Sequence, residues 1–208
     1  MLHTSLTLLK QHGACTSGYR KVIKYLGGAK AAHAYGLIPL TVVLDSNGLD
    51  DALWCLRAVP PEEEAERDVL ARLYSCDCVE AILNLDAAVG PDGKSEQLIL
   101  VARRFALGLA TRRKLNAARA ACAAAHATSG SAVNVAYAYA TYASRTSNSP
   151  LASTWGATWA TNWATTYVVG QTAYSMLRKQ YETCLREWLE GIRTAAQVRD
   201  RITNTLCP

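Results

Sequence analysis

The sequence predicts an all-α protein, a compact multi-helix bundle of about eight to ten helices. Apolar residues recur with helical period along most of the 208 residues, and residues that typically start or stop helices separate these stretches. Half of the residues are apolar, which is enough to bury a substantial core. We expect a single domain, 1–208. A division into an N-terminal subdomain, 1–90, and a basic, aromatic-rich helical subdomain, 91–208, is left open.

The N-terminal part shows signals of short helices. Thr4 or Ser5 can cap a first helix, and Thr16 or Ser17 can start a second one that Gly27 stops.

The segment 37–44 is ambiguous. Its β-branched residues suit a buried strand, whereas Pro39 at a first helical position suits a short helix. Because no second strand candidate is present to pair with it, we expect a helix. Residues 45–48 are predicted to form a turn, and 49–57 the next helix.

The following helices are longer. Two prolines at 60 and 61 break the chain, and the acidic residues at 62–64 favour the start of a helix that runs to about residue 88. Ser95 is predicted to cap a helix that ends at Gly108.

The C-terminal half changes in composition. It begins with an alanine-rich helix after Thr111. We then expect an antiparallel hairpin of helices 132–145 and 151–170 around a turn at 147–150, and a terminal helix or helix pair over 171–205.

Charge is distributed very unevenly. The net charge is +5, but residues 1–60 carry +3, 61–96 carry −7 and 97–208 carry +9. Residues 97–181 contain no Asp or Glu, and a surface of one sign concentrates ligands of the opposite charge. The alternative is that the acidic segment docks on the basic region and neutralises part of it.

Several function classes are not expected. The seven cysteines lack the spacing of a disulfide framework, and Cys76 and Cys78 lack a second ligand pair for zinc, so we predict reduced thiols in a cytoplasm and no metal or cofactor. No signal peptide is predicted, because the N-terminus lacks a basic segment followed by an apolar one. No membrane span is predicted, because the apolar stretch 147–169 carries many Thr residues. No motif of nucleophilic catalysis is present. A pI of 8.8 is modest for nucleic-acid binding.

Aromatic residues recur every four positions in the acid-free stretch. Trp155, Trp159 and Trp163 would form one stripe on a helix. Such a stripe usually packs in the core, where large rings fill the space left by the small side chains of an alanine-rich helix. The alternative is an aromatic pocket completed by Tyr139, Tyr142 and the guanidinium of Arg145, into which a base could stack.

Five cations flank the predicted helix break at Gly108. Guanidinium groups bind phosphate oxygens in a bidentate way, and helix N-termini add N–H donors. The competing interpretation is a solvated face whose cations pair with the carboxylates of 62–66. The cations are Arg103, Arg104, Arg112, Arg113 and Lys114.

The segment 40–58, the Ala102-Arg103-Arg104-Phe105-Ala106-x-Gly108 motif and the alanine-rich tract resemble a group of phage-encoded proteins named as immunity proteins. The resemblance covers roughly residues 13–190. It implies an all-α fold and a role in binding and neutralising rather than catalysis.

Three hypotheses follow. The favoured one is a phage-type anti-defence protein, in the cytoplasm of an infected cell, that sequesters a small anionic nucleotide-derived signal without catalysis. The second is an immunity-type inhibitor that binds an acidic protein through its basic face, and the third is a nucleotide-degrading enzyme. A homo-oligomer is left open. The predicted ligand-binding residues are Arg103, Arg104, Arg112, Arg113, Tyr139, Tyr142, Arg145, Trp155, Trp159 and Trp163.

Overall fold

A computed structural model describes residues 1–85, 93–126 and 171–204. These ranges contain ten α-helices and one two-stranded sheet, so the predicted all-α bundle is confirmed. The predicted hairpin of 132–145 and 151–170 lies outside the described residues. The helices are α1 (Leu6–Gln11), α2 (Thr16–Tyr25), α3 (Ala29–Ala34), α4 (Leu40–Asn47), α5 (Leu49–Cys55), α6 (Glu64–Leu85), α7 (Lys94–Ala106), α8 (Arg112–His126), α9 (Gln171–Leu189) and α10 (Ala195–Asn204), with 3₁₀ turns at Leu56–Ala58 and Pro61–Glu63.

The small sheet corrects one prediction. Strand β1 (His3–Thr4) pairs antiparallel with β2 (Ile38–Pro39), so segment 37–44 does have a strand partner. The partner is only two residues long, which is too short to show an alternating pattern. The rest of the segment is helical as expected, because α4 begins at Leu40. The strand pair fixes the N-terminus beside the start of α4.

Two predicted helix boundaries were wrong. Residues 45–47 are not a turn, since α4 continues to Asn47 and Gly48 alone separates it from α5. Ser95 does not cap α7: Gly93 occupies the cap position, and Ser95 is buried inside the helix with its hydroxyl 3.8 Å from the Cys122 sulfur. Ser5 does cap α1, as predicted, because its Oγ accepts a hydrogen bond from the Leu8 N–H.

Helix α6 lies at the centre of the described bundle. It packs against α7, α9 and α10, while α7 packs on α8 and α9 also contacts α4 and α5. Two buried tyrosines join α6 to α9 in both directions: the Tyr74 hydroxyl donates to the Tyr181 carbonyl, and the Tyr181 hydroxyl donates to the Cys78 carbonyl, 3.2 Å away. Residues distant in sequence therefore share one core.

The six cysteines in the described ranges are free thiols. Cys15 is exposed, Cys184 is half-buried and the other four are buried. Burial raises the pKa of Cys55 and of Cys76 to about 12, which keeps these thiols protonated near neutral pH. The described residues include no cluster of three metal-ligating side chains and no helix long and apolar enough to cross a membrane.

Gly48 offers a direct test of the α4–α5 junction. Its φ of 90° and ψ of −176° lie in a region that glycine alone adopts readily, so Gly48→Ala is expected to lower the free energy of unfolding by about 1–3 kcal/mol. Urea denaturation followed by circular dichroism measures this change. An alanine variant as stable as the wild type would contradict the observed backbone conformation.

Candidate ligand-binding site

The cations predicted to bind an anion flank the turn between α7 and α8. Gly108, at a φ of 72°, and the backbone hydrogen bond from the Leu109 N–H to the Arg104 carbonyl reverse the chain after α7. Thr111 then caps α8, because its Oγ1 accepts a hydrogen bond from the Lys114 N–H at 3.3 Å. We call the last turn of α7, this reversal and the first turn of α8 the α7–α8 junction.

Arg103 faces α6 and is bound to carboxylates. Its Nη2 lies 2.6 Å from Asp77 Oδ1, and its two terminal nitrogens each lie 2.9 Å from an oxygen of Glu80. Asp77 has a side-chain exposure of 9% and Arg103 of 15%, so this pair is largely withdrawn from water. Arg103 therefore joins α7 to α6, and its hydrogen-bonding capacity is mostly used within the protein.

The pKa shifts of Arg103 and Glu80 agree with this geometry. Burial alone would lower the pKa of Arg103, but the hydrogen bond to Glu80 and the charges of Asp77 and Glu80 outweigh burial and raise it. The hydrogen bond from Arg103 lowers the pKa of Glu80. Both groups are charged over the physiological range.

The acidic residues 62–66 do not neutralise the junction. Glu63 binds the backbone N–H and the ring of His3, Glu64 pairs with Arg67, and Glu66 pairs with the N-terminal ammonium. The acidic segment 61–96 does pair with the basic half of the chain, but it does so through Asp77 and Glu80 and not through residues 62–66. That pairing engages Arg103, whereas Arg104, Arg113 and Lys114 form no ion pair with a carboxylate of the described residues.

The other cations of the junction are more open. Among the described residues, Arg104, Arg113 and Lys114 have no carboxylate partner. Arg112, Arg113 and Lys114 are exposed and stand in the first turn of α8, which has no acidic residue. Cations at the N-terminal end of a helix are repelled by the partial positive charge of the helix dipole there. An anion bound here would relieve that unfavourable electrostatic energy.

The aromatic half of the predicted site lies outside the described residues. This concerns Tyr139, Tyr142, Arg145, Trp155, Trp159 and Trp163. Their assignment to a pocket stays a prediction.

A polar network around Asp77 was not anticipated from the sequence. Its Oδ2 accepts hydrogen bonds from Trp188 Nε1 at 2.9 Å and from Arg193 Nη1 at 3.0 Å, and the Cys184 thiol lies 3.6 Å away. Arg193 also binds Glu187 through two nitrogens. These residues are more than 100 positions from Asp77 in sequence, so no local spacing could indicate the cluster.

A cleft of about 620 Å³ opens beside this network, between α6 and α9. Asp77, Glu80, Glu187 and Arg193 line it. Asp77 and Glu187 bind Arg193, and Glu80 binds Arg103. Burial raises the pKa of the Cys184 thiol to about 12, which makes it a poor nucleophile. The cleft is therefore bordered by a network whose evident role is to join helices.

Comparisons with models of known protein families, with curated protein sequences and with solved structures find no match to this chain.

Neighbouring arginines provide a matched test of the two environments. Arg103→Ala removes charged hydrogen bonds to a buried carboxylate and is expected to lower the free energy of unfolding by about 1.5–3 kcal/mol. Arg104→Ala removes a side chain without a carboxylate partner in the described part of the chain, and should change it by less than about 0.5 kcal/mol. Urea denaturation of both variants measures the difference. Equal effects would contradict the asymmetry.

The same pair predicts a dependence on pH. Because Arg103 lowers the pKa of Glu80 in the folded state, the contribution of Glu80 to stability is present above its unfolded pKa of about 4.3 and is lost as pH falls through its folded pKa. The stability difference between wild type and Arg103→Ala should therefore be largest near neutral pH and shrink below about pH 4. A difference that grows in acid would contradict this sign.

Proposed function

We propose that this protein is a non-catalytic binding protein that sequesters a small anionic, nucleotide-derived ligand, and that the phosphates of the ligand bind at the α7–α8 junction. The resemblance implies binding and neutralising, and an anti-defence role would follow from removing such a signal from the cell. The observation that carries the proposal is the group of exposed cations in the first turn of α8, of which Arg113 and Lys114 have no carboxylate partner among the described residues.

The electrostatics of the junction favour an anion. Arg113 and Lys114 repel each other and the positive end of the helix dipole, so a bound anion lowers the electrostatic energy of this turn. Arginine forks donate two parallel hydrogen bonds to phosphate oxygens, which makes phosphate a better match than a single carboxylate. The Thr111 hydroxyl caps α8 by accepting a hydrogen bond from the Lys114 N–H, which gives this turn a defined backbone.

Arg104 is a further, half-exposed cation in the last turn of α7. It follows Arg103, which Asp77 and Glu80 hold against α6, so the backbone that carries Arg104 is fixed. A rigidly placed backbone lowers the entropic cost of ordering Arg104 around a ligand. The ion pair of Arg103 would thus support binding without contacting the ligand.

The nucleotide character of the ligand rests on the sequence. The acid-free stretch carries Trp155, Trp159 and Trp163, and stacking of a base on such a ring contributes about 1–3 kcal/mol. These residues belong to the part of the chain outside the described ranges. The base-binding half of the proposal is therefore tested by its own variant below.

An acidic protein partner is the second candidate. It is favoured by the exposure of Arg112, Arg113 and Lys114, because an open cationic surface suits a flat acidic surface as well as a small phosphate.

Calorimetric titration of the full chain with ADP-ribose, a cyclic dinucleotide and pyrophosphate tests the proposal. The double variant Arg113→Ala/Lys114→Ala should bind at least tenfold more weakly, since each charged hydrogen bond contributes about 1.5–3 kcal/mol. Lys21→Ala/Lys24→Ala is the matched control, because it removes two exposed cations from α2 and should change affinity less than about twofold.

Trp159→Ala separates the two halves of the site. It should weaken ADP-ribose by about 1–3 kcal/mol and leave pyrophosphate, which has no base, unaffected. Absence of binding heat with every nucleotide and with pyrophosphate would refute the proposed function. Binding of an acidic protein that depends on Arg113 and Lys114, in the absence of nucleotide binding, would favour the second candidate.

A further inference from the structure

A small cavity lies among α1, α2, α4 and α5, apart from the residues used so far. Its volume is about 230 Å³, and its walls include Leu9, Tyr19, Val22, Val43 and Trp54. A cavity of roughly 150 Å³ is enough to hold benzene. This one therefore has room for one aromatic ring or a short branched chain together with a polar group.

Three polar side chains converge on one edge of this cavity. A Cβ at Gly18 would stand 3.0 Å from Asp51 Oδ2, 3.2 Å from the Cys15 sulfur and 3.3 Å from Asn47 Nδ2. Glycine at position 18 thus lets these three groups approach the backbone of α2 closely. Apolar walls with a few convergent polar groups are the usual composition of a small-molecule site.

Asn47 is held in one orientation. Its Nδ2 donates to the Gly18 carbonyl at 2.9 Å and to Asp51 Oδ2 at 2.7 Å, while its Oδ1 accepts from the Ser46 hydroxyl at 2.6 Å. All of its hydrogen-bonding groups are engaged, so it serves to position Asp51 and to tie α2 to the α4–α5 junction.

Asp51 lacks a countercharge. It is half-buried and receives a hydrogen bond from the neutral Asn47 amide, and no Lys, Arg or His pairs with it within the described ranges. The nearby carboxylates differ: Asp50 pairs with Arg178, and Asp45 pairs with Arg186. A partly desolvated carboxylate favours a cation beside it. The charge of this cavity therefore selects the opposite charge in a ligand.

We propose that this cavity binds a small organic ammonium ion, with its charged nitrogen at the Asp51 carboxylate and its apolar body between Tyr19 and Trp54. A cation of the protein already lies over each of these rings, Lys10 over Tyr19 and Arg57 over Trp54, so the charge of the ligand is assigned to the Asp51 carboxylate and the rings supply apolar contact. The site shares no residue with the α7–α8 junction, and its ligand has the opposite charge. This proposal can therefore be tested independently of the proposed function.

Calorimetric titration with benzylamine, with benzoate as the probe of opposite charge, tests this assignment. The wild type should bind benzylamine and not benzoate, and Asp51→Asn, which keeps the shape of the side chain, should weaken benzylamine at least tenfold. Asp50→Asn is the matched control: it removes the adjacent carboxylate, which pairs with Arg178, and should change the affinity less than twofold. Equal binding of benzoate, no binding of benzylamine at millimolar concentration, or wild-type affinity in Asp51→Asn would overturn the proposal.

Cys15 supplies a second readout that needs no variant. It lines the cavity, and it is the exposed thiol among the six described cysteines. Hydrogen bonds from the Ser17 hydroxyl and the Gly18 N–H lower its pKa and favour reaction with iodoacetamide. Saturating benzylamine should slow alkylation of Cys15, measured by peptide mass spectrometry, at least fivefold. An unchanged rate would place the amine elsewhere and overturn the assignment.

Discussion

The carboxylate of Asp77 is the group around which the central helices of the described structure are arranged. Asp77 lies on α6 and accepts hydrogen bonds from Arg103 on α7, Trp188 on α9 and Arg193 in the turn after α9. A buried carboxylate without partners would be very unfavourable, so these donors are needed to keep the charge in place. Any rearrangement of α7 or of the end of α9 would leave Asp77 less satisfied. The network thus makes the packing of three helices interdependent.

This constraint divides the positive charge of the C-terminal half into two kinds. Arg103, Arg186 and Arg193 bind carboxylates of the protein and contribute to its architecture. Arg113 and Lys114 have no carboxylate partner in the described part of the chain and are exposed. Net charge and the length of the acid-free stretch do not distinguish these kinds, because both lie within the same basic sequence. Pairing in three dimensions removes Arg103 from the candidate anion site and leaves Arg104, Arg113 and Lys114 in it.

The sequence predicted the features that depend on local chemistry. Helical period, the Ser5 cap and the break at Gly108 all reflect interactions within a few residues, and the structure confirms the helices that follow from them. Prediction from the sequence failed for features that depend on contacts between residues far apart in the chain. Strand β1 exists only because it meets β2, and the partners of Asp77 come from positions more than 100 residues away. The cavity beside Gly18 was missed for the same reason, since Cys15 and Asp51 belong to separate helices.

The reciprocal hydrogen bonds of Tyr74 and Tyr181 bear on how the chain folds. They join residues about 100 positions apart, so the loop between them must close before either bond can form. Loop closure of this length has a substantial entropic cost, and proteins dominated by distant contacts reach the native state more slowly than those with local contacts. The α4–α5 pair, separated only by Gly48, carries no such cost. The N-terminal helices can therefore assemble early, and the docking of α9 on α6 is the step whose timing sets when the core becomes closed to water.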